Sequence, residues 1–234
     1  QTKLFNATKL LAGVTGGAYR FTGLTEKPLL PIDRWLLAEF HRMLTECTRR
    51  FDVYDYANAL RGIEGFFWTT LCDNGLEMMK TRLRAAQSDD TAYSPDEGKV
   101  GQDVTFAVLL ASVQLFAPYL PFITEHLYQG YFRGALGEDA PVSIHVTPWP
   151  TALSPGLDER EITDGRNALT VIHLLRKTKT DRQMHIGAPI STAVIYAPEE
   201  DSVSLTRFTR EIASATRAEH VIIHASGSLS VDIS

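Results

Sequence analysis

The stretch from Tyr56 to Arg84 contains no proline and sets its apolar side chains at helical spacing. Leu60, Ile63, Phe67 and Leu71 form one stripe; Cys72, Leu76, Met79 and Leu83 form a neighbouring one. A helix with so wide an apolar sector must be buried against more than one partner. That requirement makes a helix bundle the expected architecture.

The flanking segments supply the partners. TKLFNATKLLA aligns Leu4, Ala7 and Leu11 before GVTGG interrupts it. Pro31-Ile32-Asp33 opens a second helix, with Asp33 read as its N-cap and Trp35, Leu36, Phe40, Met43, Leu44 and Cys47 as its apolar positions. Residues 85–101 are polar and acidic and read as a surface loop. A fourth helix is expected from about Asp103 to Phe116. Pro118 and Pro121 stop it and restart the chain as a fifth, PFITEHLYQGYF. PVSIHVTPWPTALSP, 141–155, reads as a strap and boundary.

Beyond the strap the periodicity changes. EREITDGRNALTVIHLLRKTK is helical, with Ile162, Leu169, Ile172 and Leu175 in phase. TAVIYA, 192–197, reads as a strand, and Leu205 to Ala215 as an amphipathic helix. HVIIHA and SLSVDI read as two strands of a hairpin turning at Ser226-Gly227. The expected fold is therefore mainly α: an antiparallel helix bundle over 1–150, then a small α+β domain over 151–234.

The chain is 44% hydrophobic and 22% charged, an ordinary globular balance, and no apolar run approaches the ~18 residues of a membrane span. The first residues lack a signal peptide's apolar core and begin without Met inside a helical pattern, which reads as a segment of a longer chain. Cys47 and Cys72 form no CxxC pair, so a reducing, cytoplasmic setting is expected. A net charge of -5 does not advertise a nucleic-acid binder, but phosphate affinity follows the local placement of Lys and Arg.

Catalytic and metal constellations do not emerge. Asp73, Glu77, Lys80 and Arg84 share one helical face, whereas Cys72 points onto the apolar stripe, away from any base. A solvated charged face is the expected reading. Of the seven histidines, only His220 and His224 are close in sequence, and in a strand they stand ~13 Å apart, so no metal site is expected. The basic run RKTKTDR, with Arg176, Lys177, Lys179 and Arg182, fits either a helix C-terminus or a phosphate contact. Trp35 beside Arg34 offers a π-face next to a cation, as an unpaired base requires, although a Trp at helical spacing also fits a core.

The segments KLFNA (3–7), DRWLL (33–37), CDNGLEMMK (72–80), LFAPYLPFITEHLY (115–128) and SIHVTPWP (143–150) occur in a fixed order. In that order they resemble the anticodon-binding bundle of class I aminoacyl-tRNA synthetases of the Val/Ile/Leu subgroup. The Cys-Asp pair is most similar to the valyl branch, and RKTKTDRQMHIGAPISTAVIYA is similar to the tail of its archaeal type. The chain departs from the pattern at Phe5 and Tyr128, where the family writes Trp, at Asn74 and Gly75, where it writes aromatics, and at Ala117, where it commonly has His. His185-Ile186-Gly187-Ala188 looks like the start of the HIGH signature but precedes a proline and a strand, and no KMSKS loop is present.

The resemblance implies a tRNA-binding piece of a ligase, with tRNA-Val and the parent's catalytic domain as partners. It implies no catalytic residue and no cofactor in these residues, and ATP and Mg²⁺ for the parent enzyme. By motif position it marks Lys9 and Trp35 first, then Asn6 and Arg34, then Arg42. The cluster Arg176, Lys177, Lys179 and Arg182 is a second candidate, for the tRNA backbone. An isoleucyl-type domain and a synthetase-derived interaction module stand as alternatives.

Overall fold

In the computed structural model, residues 1–87, 92–153, 156 and 159–234 are described. Parts of the expected 85–101 loop (88–91) and of the strap (154–155) lie outside the described residues.

The bundle begins with α1 (Thr2–Thr15), whose Leu4, Ala7 and Leu11 are buried as their spacing predicts. Helix α2 (Pro31–Asp52) follows. The long segment is continuous but not uniform: α3 (Tyr56–Gly65) passes through a π-helical stretch (Phe66–Gly75) into α4 (Leu76–Ala85). The looser winding brings Gly75 close to the chain, where a Cβ would stand 3.1 Å from the Thr70 carbonyl oxygen and 3.4 Å from Leu36. The glycine that breaks the family pattern thus occupies a spot with no room for an aromatic ring.

Helix α5 (Pro95–Phe116) starts earlier than its apolar pattern suggests. The Ser94 hydroxyl accepts from the Glu97 amide and the Glu97 carboxylate accepts from the Ser94 amide, a reciprocal capping box followed by proline at the first helical position. Val104, Phe106, Val108, Leu109, Val113 and Leu115 are all buried, so α5 is the central helix. Helix α6 (Pro121–Leu127), a π-helical turn (Tyr128–Phe132) and α7 (Arg133–Leu136) complete the bundle. Tyr128, where the family carries Trp, is buried and donates to the Pro141 carbonyl oxygen at 2.8 Å.

Asp33 is not the N-cap of α2. It sits in the first turn, accepts from the Leu30 amide at 2.8 Å, and forms a fully buried ion pair with Arg82 of α4 at 2.6 Å. Arg82 also donates to the Glu97 carbonyl oxygen at 2.8 Å, so one side chain joins the ends of α2, α4 and α5.

The remaining elements are α8 (Glu159–Asp181), β1 (Ile190–Ala197), α9 (Glu199–Thr206), α10 (Thr209–Thr216), β2 (Ala218–Ala225) and β3 (Ser230–Ile233). The expected amphipathic helix at 205–215 is two short helices. The expected hairpin does not form: the sheet order is β2-β1-β3, with β1 parallel to β2 and antiparallel to β3. Ala193, Ile195 and Ala197 are fully buried, and a strand that apolar is driven to the centre, where both its edges are paired. The parallel pair is closed by a crossover through α9 and α10, as parallel strands require. Helix α8 crosses α2 so closely that a Cβ on Gly165 would fall 2.1 Å from the Trp35 ring. With α8 and α10 docked on it, the bundle is followed by a small α+β part, as the change in periodicity indicates.

Candidate nucleic-acid interface

The residues singled out from sequence fall in three separate places. Asn6 and Lys9 are exposed on the solvent side of α1. Arg34, Trp35 and Arg42 lie on α2, toward its seam with α8. Arg176, Lys177, Lys179 and Arg182 lie at the C-terminal end of α8.

The α2 group does not form a base platform. Trp35 is 1% exposed, wedged between Gly75 and Gly165, so no base reaches its ring. Its helical spacing marks a core residue, and the stacking reading is overturned. Arg34 is paired with Glu161 of α8. Arg42 pairs with the buried Glu39 at 2.7 Å, and Glu39 also receives Arg166 of α8 at 2.8 Å. Arg34 and Arg166 hold the two helices together, while Arg42 braces Glu39 from within α2. A groove of about 460 Å³ opens on the other side of Arg42, with Met43, Cys47 and Phe66 among its lining residues and Arg50 and Glu46 on its rim. Its charges are internally matched: Glu46 receives Arg49 and Arg50, and the Arg49 hydrogen bond holds its carboxyl down to about 2.

The basic cluster of α8 is mostly structural. Lys179 is fully buried and donates to the carbonyl oxygens of Ile186, Ala188 and Thr216. A phosphate cannot approach it, and this part of the reading is corrected. Burial lowers its pKa. Arg176 donates to the Ala215 carbonyl oxygen at 3.2 Å, and Arg182 to Asp232 and the Ile233 carbonyl oxygen. Lys177 is exposed. These contacts explain the HIGH-like tetrapeptide: Ile186 and Ala188 are acceptors for Lys179, and the Gly187 amide donates to His185 Nδ1 at 3.0 Å. It closes the α8–β1 turn and does not fit an ATP site.

Helix α1 is different. Because Leu4, Ala7, Thr8 and Leu11 are buried, the helix presents Asn6 and Lys9 outward with Phe5 on one flank and Lys3 and Leu10 on the other. Lys9 makes no ion pair among the described residues. Phe5 is 43% exposed and borders a cleft of about 150 Å³ shared with Lys9, His126, Gly130 and Tyr131. Burial pushes the Tyr131 hydroxyl up to about 12, so it stays a neutral partner for Thr15 at 2.9 Å. On the opposite flank Lys3 pairs with Asp73 at 3.1 Å and lies 5.9 Å over the Trp68 ring, which is 46% exposed. Trp68 belongs to the π-helical stretch. It falls on neither apolar stripe, which is the sequence signal that could have marked it as an exposed aromatic.

Burial pushes the Cys72 thiol up to about 11, which keeps it a protonated, unreactive thiol. The charged face around it is solvated, with Asp73 taken by Lys3 and Glu77 within 3.5 Å of Lys80. Among the described residues no group of three His, Cys, Asp or Glu gathers to hold a metal, and no helix is long and apolar enough to cross a membrane.

The sequence matches the model of the anticodon-binding domain of tRNA ligases over residues 33–196. The chain belongs to that family. Among curated relatives, the valine–tRNA ligase of Methanopyrus kandleri is 33% identical over 84% of this chain and 20% of its own length. That of Haloarcula marismortui is 32% identical over 96% of this chain and 23% of its own. A bacterial valine–tRNA ligase, from Ehrlichia ruminantium, is 26% identical over 94% and 25%. This anticodon-binding domain is thus homologous to a region of valine–tRNA ligases and spans about a fifth to a quarter of their length.

Proposed function

We propose that this chain is the tRNA-recognising part of a valine–tRNA ligase and that the solvent face of α1 receives the unpaired anticodon bases of tRNA-Val. The observation that carries the reading is the exposed row on α1. Lys9 and Asn6 stand between two exposed aromatic side chains, Phe5 beside a cleft and Trp68 beneath Lys3. Single-stranded RNA is recognised by stacking its splayed bases on aromatic faces and hydrogen-bonding their edges, while cations hold the phosphates. Asn6 offers both a donor and an acceptor to a base edge, and Lys9 offers an ammonium that is not already paired. On this reading valine activation with ATP and Mg²⁺ belongs to a catalytic domain of the same parent enzyme, working in the cytoplasm. The division at about residue 150 then separates recognition from a docked accessory unit.

The test is the affinity of a tRNA-Val transcript for the chain and its Lys9→Ala and Trp68→Ala variants. Loss of a base–aromatic stack weakens binding by about 1–3 kcal/mol, and both variants are expected to weaken it. Unchanged affinity in both removes α1 from the site.

A further inference from the structure

Among the described residues, the three-stranded sheet carries helices on one face only. Ala193, Ile195 and Ala197 of β1, with Ile233 of β3, are buried beneath the helices. The alternate residues form the other face, where Tyr196, Ile222 and His224 are exposed and Val194 is half-buried. The registers fix their order. Val194 stands between Ile222 and Asp232, and Tyr196 between His224 and Ser230. The Tyr196 and His224 rings are stacked across the strands, with centroids 5.4 Å apart and planes 24° from parallel. At the end of the sheet where β1 and β2 begin, Arg182 reaches Asp232 on this face, and His220 is exposed beside Thr192.

We propose that this open face is a second RNA-contact surface, on which unpaired nucleotides extend the Tyr196–His224 stack beside His220. The chemistry favours nucleotides over a protein partner. Ile222 is the only strongly exposed aliphatic residue among the rows named, too little for the apolar centre of a protein interface. A pair of flat, nearly parallel π-faces on an open sheet is instead the arrangement on which single-stranded bases stack. Alternate residues of one strand stand about 7 Å apart, so the rows at Thr192, Val194 and Tyr196 give room for two or three nucleotides in succession. This surface is distinct from α1, and it rests on the proposed role only for the natural RNA, not for the ability to bind one.

The chain is irradiated with a short oligouridine carrying 4-thiouridine, and the crosslinked peptides are mapped. In parallel, oligouridine affinity is measured at low salt for the parent chain and for Tyr196→Ala, Tyr196→Phe, His224→Ala and Lys9→Ala. The expected result is a crosslink within β1 or β2 in the parent chain and in Lys9→Ala alike, a loss on the order of tenfold for Tyr196→Ala, and parent affinity for Tyr196→Phe. If Tyr196→Ala disturbs the fold by circular dichroism, His224→Ala, an exposed edge-strand position, carries the same comparison. Crosslinks confined to α1, absence of oligouridine binding, or full affinity in Tyr196→Ala and His224→Ala overturns the proposal. A sheet crosslink that persists in Lys9→Ala supports a surface separate from α1, and its disappearance in that variant overturns the proposal.

Discussion

Replacing Asp33 by Ala isolates the contact on which the bundle's end depends. The carboxylate and the Arg82 guanidinium are both 0% exposed and meet at 2.6 Å. Arg82 then has one further partner, the Glu97 carbonyl oxygen, and its second terminal nitrogen already lacks a partner. Asp33→Ala leaves a buried cation with a single neutral acceptor and frees the Leu30 amide of its acceptor. Breaking a buried pair from one side costs about 3–5 kcal/mol, and for a chain of this size each kcal/mol lowers Tm by about 2–4 °C. A fall in Tm on the order of 10 °C follows. Urea unfolding monitored by circular dichroism is the assay, read as a shift in midpoint at constant slope. Removing both charges, as Asp33→Leu with Arg82→Met, is expected to cost clearly less than the sum of the single changes, because no unpaired ion remains. A loss below about 1 kcal/mol for Asp33→Ala, or strict additivity in the double variant, would refute the reasoning.

Four further outcomes follow from the same contacts. Trp35→Ala should cost about 3–5 kcal/mol in unfolding experiments as a buried aromatic deletion, with no specific effect on RNA, whereas Trp68→Ala should leave stability nearly unchanged. Lys179→Met leaves three carbonyl oxygens without their donor and should lower stability by several kcal/mol, while the salt slope of RNA binding stays at the parent value. Gly165→Ala drives a methyl into the Trp35 ring and should lower Tm more than Gly62→Ala, where nothing lies within 4 Å. The Arg210 hydrogen bond holds the Glu97 carboxyl down from 4.5 to about 2, so the pair's stabilisation is present above the ordinary carboxylate pKa and is lost as pH falls through about 2. Unfolding midpoints at pH 5 and 3 should therefore differ less in Glu97→Gln than in the parent.

The helices were legible because burial on one side of a 3.6-residue repeat leaves a local trace. Leu4, Ala7 and Leu11, and Ile63, Phe67 and Leu71, are buried as their spacing predicts. The start of α5 reads as loop because PDEGKVG, 95–101, is polar and carries Pro and Gly. The capping signal itself, serine followed by proline and then glutamate at the third helical position, stood in the sequence. Strand pairing is not a local property. Ser226-Gly227 is sound turn chemistry, but β1 outcompetes the neighbour in sequence for both edges. Side-chain roles fared likewise. Arg, Lys and Trp look the same in sequence whether they meet RNA or close a seam, and only burial separates Trp35 and Lys179 from Trp68 and Lys9.

The most direct measurement is binding of the chain to a tRNA-Val transcript and to the same transcript with an altered anticodon, at two salt concentrations. Phosphate attraction alone weakens steeply with salt and ignores base identity. The account predicts tighter binding to the native anticodon, a preference that survives the higher salt and disappears in Lys9→Ala. Equal affinity for the two transcripts, collapsing together as salt rises, would contradict anticodon readout on α1.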